Sequence, residues 1–332
     1  MLPSETFRVL LFVGIIATIY IVAAREVVKI FLRRRGHLKS PESQRQSWYR
    51  RIAFTLAAAG ILCFAYAYFI EPYWPEVTRS HITTAKLPSL ARPIRIAHIS
   101  DLHSDPKVRL ESRLPDIIAA EKPDIIVFTG DAINSVDALP VFKECLRRIA
   151  AIAPTFAVRG NWDTSFHRRL DLFSDTGAQE LRSSAKQIQI EGASVWIGGV
   201  DSGRESDIAG TFKEAPTDAF KVFLCHYPDE IEEASRLKID LYCAGHTHGG
   251  QIALPFYGAL ITLSRYGKKY EAGLYRVEDT WLYVNRGIGM EGGPAPRVRF
   301  CARPEITIIE VTSLEPGVES RNSDSRLQTS DS

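Results

Sequence analysis

Hydrophobic positions divide the chain into two unlike parts. Val9 to Ala24 contains no charged residue, and apolar character resumes at Val27, Val28, Ile30, Phe31 and Leu32. Ile52 to Ile70 is likewise uncharged. Crossing a bilayer takes about 20 predominantly apolar residues, so residues 1–32 and 52–70 are expected to be transmembrane helices forming a hairpin. From Ile94 the pattern changes to short apolar runs alternating with helical periodicity, which predicts an α/β domain over 94–312. Strands are expected at Arg95–Ile99, Ile125–Phe128, Thr155–Val158, Val195–Gly199, Val222–Cys225, Ile239–Ala244, Trp281–Val284 and Ile306–Val311. Helices are expected around Leu110, Leu114, Ile117 and Ile118, over Ala138–Ala151, and over Glu230–Leu237. Residues 71–93 read as a linker, and 313–332 as a disordered tail rich in Ser, Asp, Glu and Arg.

Charge orients the hairpin. The 33–51 loop carries Arg33, Arg34, Arg35, Lys39, Arg45, Arg50 and Arg51 against only Glu42. The positive-inside bias places this loop in the cytoplasm and both termini outside, in a two-span protein of the cell inner membrane. The same cluster also reads as a patch for anionic headgroups. A cleavable signal is the competing reading of the first segment. It is opposed by Glu5 beside Arg8, by the lack of a basic excess and by the length of the apolar run. The net charge of +2 over 332 residues gives no case for a nucleic-acid partner. Five cysteines without a C-x-x-C pair exclude a disulfide framework and argue against a zinc ribbon.

The expected strands end in residues able to bind metal: Asp101 and His103, Asp131, Asn161, His226, then His246 and His248. Each has an ordinary alternative as a cap, turn or core residue. Their order, each after an apolar strand, is the stronger signal, because loops at the carboxyl ends of strands converge on one crevice. Mixed carboxylate, amide and imidazole donors without thiolate suit two divalent ions of the Mn, Fe or Zn kind. Asp131 can bridge such a pair through its two oxygens.

Asp101-Leu102-His103, Gly130-Asp131, Gly160-Asn161, His226 and Gly245-His246-Thr247-His248 meet the pattern D-x-H, G-D, G-N-H-[DE], H, G-H-x-H. On these residues the chain resembles the calcineurin-like metallophosphoesterases from about Ile94 to Val311. The resemblance implies a four-layer α/β/β/α sandwich and two metal sites. One would use Asp101, His103, Asp131 and His248; the other would use Asp131, Asn161, His226 and His246. Asp131, Asn161 and Asp163 are then the expected catalytic positions, Asp163 acting by orienting Asn161 or its loop. Gly245 to Gln251, Tyr266-Gly267, Tyr270, Gly273-Leu274-Tyr275, Asn285 to Gly289, Pro294, Arg297 and Pro304-Glu305 resemble the membrane-associated bacterial branch. That branch implies a lipid bilayer and a phosphorylated lipid or nucleotide-sugar lipid as partners. It is associated with UDP-2,3-diacylglucosamine hydrolysis in lipid A biosynthesis.

The chain departs from the pattern at Trp162, where the family usually has histidine. A missing acid matters least for a leaving group of low pKa, such as the phosphate released from a pyrophosphate. Trp162, Arg265 and Lys268, with Lys269, are candidate substrate contacts. His98 reads as core, and His167, with Arg168 and Arg169, as part of a solvated helix face or a basic lip. Two further readings stand beside a lipid A pyrophosphatase. One is an extracytoplasmic phosphodiesterase acting on phospholipid or envelope polymer. The other is a non-catalytic metal-dependent envelope-binding protein.

Overall fold

A computed structural model describes residues 2–38, 42–89, 92–292 and 296–314. Two helices, α1 (Pro3–Arg34) and α2 (Gln44–Phe69), are both long and apolar enough to cross a bilayer. α1 ends two residues past its expected end and α2 begins well before its expected start, so Arg33, Arg34 and residues 44–51 of the expected loop are helical. Ser43 and Gln46 close a reciprocal cap that starts α2 ahead of Arg50 and Arg51. The residues buried on the helices are small, Ala23 on α1 and Ala53 and Ala57 on α2, and the Tyr20 hydroxyl donates to the Ala57 carbonyl at 3.2 Å. Small residues let helix backbones approach closely where there is no hydrophobic driving force.

The rest forms two six-stranded sheets among the described residues. The first has the order β1 (Glu76–Thr84), β14 (Glu305–Ser313), β2 (Ile94–Ile99), β3 (Ile125–Phe128), β4 (Thr155–Ala157) and β5 (Gln179–Glu180). The second has the order β12 (Gly273–Val277), β13 (Thr280–Val284), β9 (Leu241–Ala244), β8 (Phe220–Leu224), β7 (Ala193–Gly199) and β6 (Ser184–Ile190). Their facing sides share one apolar layer, including Ile94, Ile96, Val127, Phe156, Ile197, Val222, Leu241 and Ile309. The outer face of the first sheet packs on α3 (Leu114–Ala120) and α4 (Leu139–Ala150) through Ile118, Phe142 and Leu146. Beyond α5 (Asn161–Phe166), the outer face of the second sheet is covered by α6 (Ile208–Thr211) and α7 (Ile231–Arg236), using Ile208, Ile231 and Ala234. The architecture is therefore the expected α/β/β/α sandwich. A small two-stranded ribbon, β10 (Ala253–Leu254) with β11 (Gly258–Ala259), follows the double-histidine loop.

The main correction concerns the stretch read as a linker. Residues 76–84 form an edge strand parallel to β14 from Glu76↔Glu305 to Thr84↔Ser313, and Ile82 lies in the core. Its polar alternation, with only one strand partner, hides it from a search for apolar runs. Pro294 and residues 315–332, nearly all of the expected disordered tail, lie outside the described residues, as does Lys39.

Both ends of the hairpin lock onto the sandwich. Glu5, fully buried, accepts from the Thr262 N–H and hydroxyl at 2.9 and 3.0 Å. Glu71 accepts from the Cys301 and Ala302 N–H groups at 3.0 and 2.6 Å. The Ala67 carbonyl accepts from the Arg299 N–H. The domain therefore sits at the opposite end of the hairpin from Arg33 to Arg51.

A candidate metal centre at the strand ends

The loops after β2, β3, β4, β8 and β9 meet along one edge of the sandwich, stitched by backbone bonds. The Asp101 N–H donates to the Gly130 carbonyl at 2.9 Å, His103 N–H to Asp131 at 3.0 Å, and Gly245 N–H to His226 at 2.9 Å. Asp101, His103, Asp131, His246 and His248 all have φ between +39° and +70°. Left-handed backbone costs a non-glycine residue about 1–2 kcal/mol, so the surrounding bonds must hold it, as strained functional loops require. Two glycines are fixed by close approach instead. A Cβ on Gly245 would collide with Ser100 Oγ and Asp101 Oδ2, and one on Gly160 with the Asp131 carboxylate.

The side chains converge. His248 Nε2 lies 3.2 Å from Asp101 Oδ1, and His226 Nε2 lies 3.2 Å from Asp131 Oδ2. His103 Nε2 is 3.5 Å from that same Asp131 oxygen. Asp101, His103 and His248 form one group able to hold a metal ion, and Asp101, Asp131 and His226 another. Asp131 thus stands between His103 of the first group and His226 of the second. His246 adjoins the second, its ring centroid 5.2 Å from that of His226 and its Nδ1 3.0 Å from Asn161 Oδ1.

Supporting bonds aim the imidazoles. His226 Nδ1–H donates to the Thr129 carbonyl at 2.7 Å, which turns Nε2 into the cluster. The Asn134 amide donates to the His103 carbonyl, so its oxygen accepts from His103 Nδ1 at 3.0 Å, with the same result for that ring. Asp101 Oδ1, His103 Nε2 and His226 Nε2 are buried without a hydrogen-bond partner. Orphaned carboxylate and imidazole atoms facing one point are what a cation would satisfy, and the residues fit a metal.

Electrostatics agree. Burial opposes ionisation of Asp131, but His226 and His103 overcome it and hold the carboxylate well below its usual range. Burial also opposes a charge on His226, yet Asp131 and Asp101 push its pKa up to about 10. His246 falls to about 3 through burial and the neighbouring His226 charge. Arg299 is completely buried behind His248, and burial lowers its pKa to about 9.

Other expected residues divide. Asp163 is buried and binds the Asp131 loop rather than the Asn161 side chain, accepting from the N–H groups of Asp131, Ala132 and Gly160. Burial and the nearby Asp131 raise its pKa to about 6. Trp162 lies at the centre, its ring edge-on to His103 with centroids 5.4 Å apart. Its backbone N–H donates to Asp131 Oδ1 and its indole N–H to Glu291. Lys268 is committed to the Tyr257 and Ala259 carbonyls and to Glu271. Arg265 binds the Asp229 carbonyl and faces Glu230, while Lys269 stacks over Tyr270. His98 is core, as expected. His167 is not on a solvated helix face: it lies just past α5 and is buried. The sequence reading missed Asn134, the Thr129 carbonyl and Glu291. Only Asn134, three residues beyond Asp131, left a trace.

A buried Asp–His cluster at the strand ends of an α/β/β/α sandwich defines a metal-dependent phosphoesterase. The sequence profile of the calcineurin-like phosphoesterases matches residues 94–250. The chain is 33% identical over 277 residues to the metallophosphoesterase YkuE of Bacillus subtilis, covering 78% of this chain and 95% of that one. It is 30% identical over 281 residues to the phosphodiesterase YaeI of Escherichia coli, covering 80% and 98%. It is 28% identical over 316 residues to the UDP-2,3-diacylglucosamine pyrophosphatase LpxG of Chlamydia trachomatis, covering 77% and 94%. The chain belongs to the calcineurin-like metallophosphoesterase family.

Proposed function

We propose that this chain is a membrane-anchored phosphoesterase with two divalent ions, hydrolysing a phosphodiester or pyrophosphate bond in a substrate presented at the bilayer surface. Asp101, His103, Asp131 and His248 would hold one ion, and Asp131, Asn161, His226 and His246 the other. Asp131 would bridge them, in keeping with its place between His103 and His226. The donor set suits Mn, Fe or Zn. When bound, such ions supply Lewis acidity toward a phosphoryl oxygen and lower the pKa of water. The chain's own contribution is positional: Asp163 and the Trp162 N–H fix Asp131, while Thr129 and Asn134 fix the tautomers of His226 and His103.

The observation that carries the membrane reading is the buried Glu5–Thr262 contact. Residue 263, next in the chain, lies over the metal centre, the Leu263 carbonyl being 3.3 Å from His246 Nε2. Beside it the ribbon loop exposes Phe256 completely and holds Tyr257 against Arg8 at the start of α1. A centre tied to the first turn of a span, beside an exposed aromatic tip, works at the interfacial layer. UDP-2,3-diacylglucosamine is a candidate substrate because LpxG is named for it. Positive-inside bias, with the domain opposite the basic loop, favours an extracytoplasmic phospholipid or envelope phosphodiester instead.

The test measures hydrolysis by the full chain in vesicles. UDP-2,3-diacylglucosamine, a glycerophospholipid and the soluble diester bis(4-nitrophenyl) phosphate are compared, with a C-terminal reporter fixing the side of the domain. Turnover of the soluble diester with no preference for either lipid would remove the membrane substrate from the reading. Loss of all three would remove the phosphoesterase.

A further inference from the structure

His226 and His103 find partners for their remote ring nitrogens inside the sandwich, at Thr129 and Asn134. His246 finds its own on a loop that the first membrane helix holds. Its Nε2 lies 3.3 Å from the Leu263 carbonyl, which can only accept, so Nε2 carries the proton. A neutral imidazole has one N–H, and Nδ1 is therefore bare. It faces Asn161 Oδ1 at 3.0 Å, a separation open to two atoms that each lie about 2.0–2.2 Å from a shared ion. Tyr227 and His226 pack against the ring, with centroids 4.3 and 5.2 Å from its own. These neighbours fix where the ring lies, and the carbonyl fixes which nitrogen bears hydrogen.

That carbonyl belongs to a strained residue. Leu263 has a φ of 56° and an exposed side chain, so its conformation must be imposed from either side. Downstream, Ser264 Oγ donates to Asp229 Oδ1 at 2.5 Å, and the Arg265 N–H donates to Oδ2 at 3.1 Å. Upstream, the brace is Glu5 in the first turn of α1. Its Oε1 accepts both from the Thr262 N–H at 2.9 Å and from the Thr262 hydroxyl at 3.0 Å, while Oε2 accepts from the Leu2 N–H at 3.0 Å. A carboxylate buried at the end of a spanning helix is costly, and an apolar contact would have served to tether it.

We infer that Glu5 is a positioning residue for the second metal site: by fixing Thr262 it holds the Leu263 carbonyl against His246 Nε2–H, and so keeps His246 Nδ1 turned toward the ion it would share with Asn161. The membrane helix is then a working part of the metal centre as well as its anchor. This rests on the two-ion reading of the Asp–His cluster.

The experiment is calorimetric titration of manganese(II) into the metal-free, full-length protein in detergent, which reads each ion's affinity without turnover. Wild type is expected to take up two ions. Glu5→Ala should weaken one of them about 10–100-fold, the range for groups that orient metal ligands, and leave the other unchanged. Glu5→Gln, whose Oε1 can still accept both Thr262 bonds, should restore the loss. Thr262→Val, which deletes only the hydroxyl bond, should weaken the same ion by less, and it decides the matter if Glu5→Ala does not fold. In a His246→Ala background, adding Glu5→Ala should not weaken the remaining ion, because the effect passes through His246. Equal loss of both ions, further loss in that background, no rescue by Gln, or wild-type affinities in Glu5→Ala and Thr262→Val would each overturn the inference. Failure of the two-ion reading is seen separately, as uptake of fewer than two ions by wild type.

Discussion

Asp163 holds Asp131 by its backbone. Asp163 Oδ2 accepts from the Asp131 N–H at 2.8 Å and the Gly160 N–H at 2.9 Å, and Oδ1 accepts from Ala132 at 2.9 Å. One carboxylate therefore joins the loops after β3 and β4 and sets Asp131 at its positive φ of 58°. Asp163→Asn replaces one acceptor oxygen with an NH₂ group that cannot accept, leaving at least one buried N–H unsatisfied, at about 1–3 kcal/mol. Metal affinity or kcat is expected to fall about 10–100-fold, as for other groups that orient metal ligands. Metal titration with kinetics checks this; unchanged values would show that the loops hold themselves.

Removing Asp131 itself separates the two sites. Because Asp131 Oδ2 lies within 3.5 Å of both His103 and His226, Asp131→Ala should lose both ions. His246→Ala, which removes a ring lying against His226 of the second group, should retain one. Elemental analysis of purified protein decides, and full metal content in Asp131→Ala would defeat the bridging assignment.

The sequence made the central strands legible because each is a short, mostly apolar run followed within a few residues by Gly, Asp, Asn or His. The edge strands were less legible for a physical reason. β1, with Arg79, Ser80 and His81, and β6, with Lys186, Gln187 and Gln189, face solvent on part of their surface and need no apolar run. β1 also finds its partner more than two hundred residues later. At the site, ligand types could be read from strand ends, but their support could not. The Thr129 carbonyl carries no side-chain signal, and the left-handed φ of Asp101 or His248 arises from loop packing. The Glu5–Thr262 contact likewise depends on where the hairpin lands.

The hidden strand changes where the domain can be cut. A chain beginning near Pro88 would expose the β14 edge and remove Ile82, whose burial is worth about 1.5–3 kcal/mol. It should aggregate or melt early. One beginning at Glu71 keeps β1 and the Glu71 contacts to Cys301 and Ala302, and should fold. Solubility and thermal melting of the two truncations compare them directly. Equal stability would mean that β1 is dispensable.

His98 gives the fold an acid sensitivity. Thr129 Oγ1 donates to Ser100 at 2.7 Å, so it accepts from His98 Nε2–H at 3.0 Å, leaving Nδ1 buried and unpartnered. Burial, only partly opposed by Glu305 and Asp101, lowers the pKa to about 4 from an ordinary 6.5. Below pH 6.5 the unfolded chain takes up a proton that the folded one refuses. The stability His98 contributes is therefore complete above 6.5 and is lost as pH falls toward 4, by about 2 kcal/mol at pH 5. His98→Gln should flatten the fall in Tm between pH 7 and pH 5. An identical slope in the variant would place the acid sensitivity elsewhere.

Trp162 occupies the place where the family usually has histidine, and its surroundings define two roles that substitution can separate. Its backbone N–H reaches Asp131 Oδ1 whatever the side chain, so the metal centre should survive replacement. The indole N–H donates to Glu291 at 3.1 Å, and the Glu291 N–H in turn donates to the Gln251 side chain at 2.8 Å. The ring thus ties the start of α5 to the segment around Glu291, which is itself bonded to the end of the double-histidine loop. Trp162→Phe removes only that bond and should raise KM with kcat nearly constant. Trp162→His removes the bond but offers an acid within reach of a leaving group. It should leave kcat on aryl diesters or pyrophosphates nearly unchanged and raise it on alkyl esters, whose alkoxide needs a proton. General acid help is typically worth about 10²–10⁴-fold, and the gain here should be smaller because no partner orients the new ring. Steady-state kinetics on an aryl and an alkyl diester, with metal content measured in parallel, test both. If Trp162→His lost activity on every substrate while keeping its metal, the indole would be a binding surface and the leaving-group argument would fail.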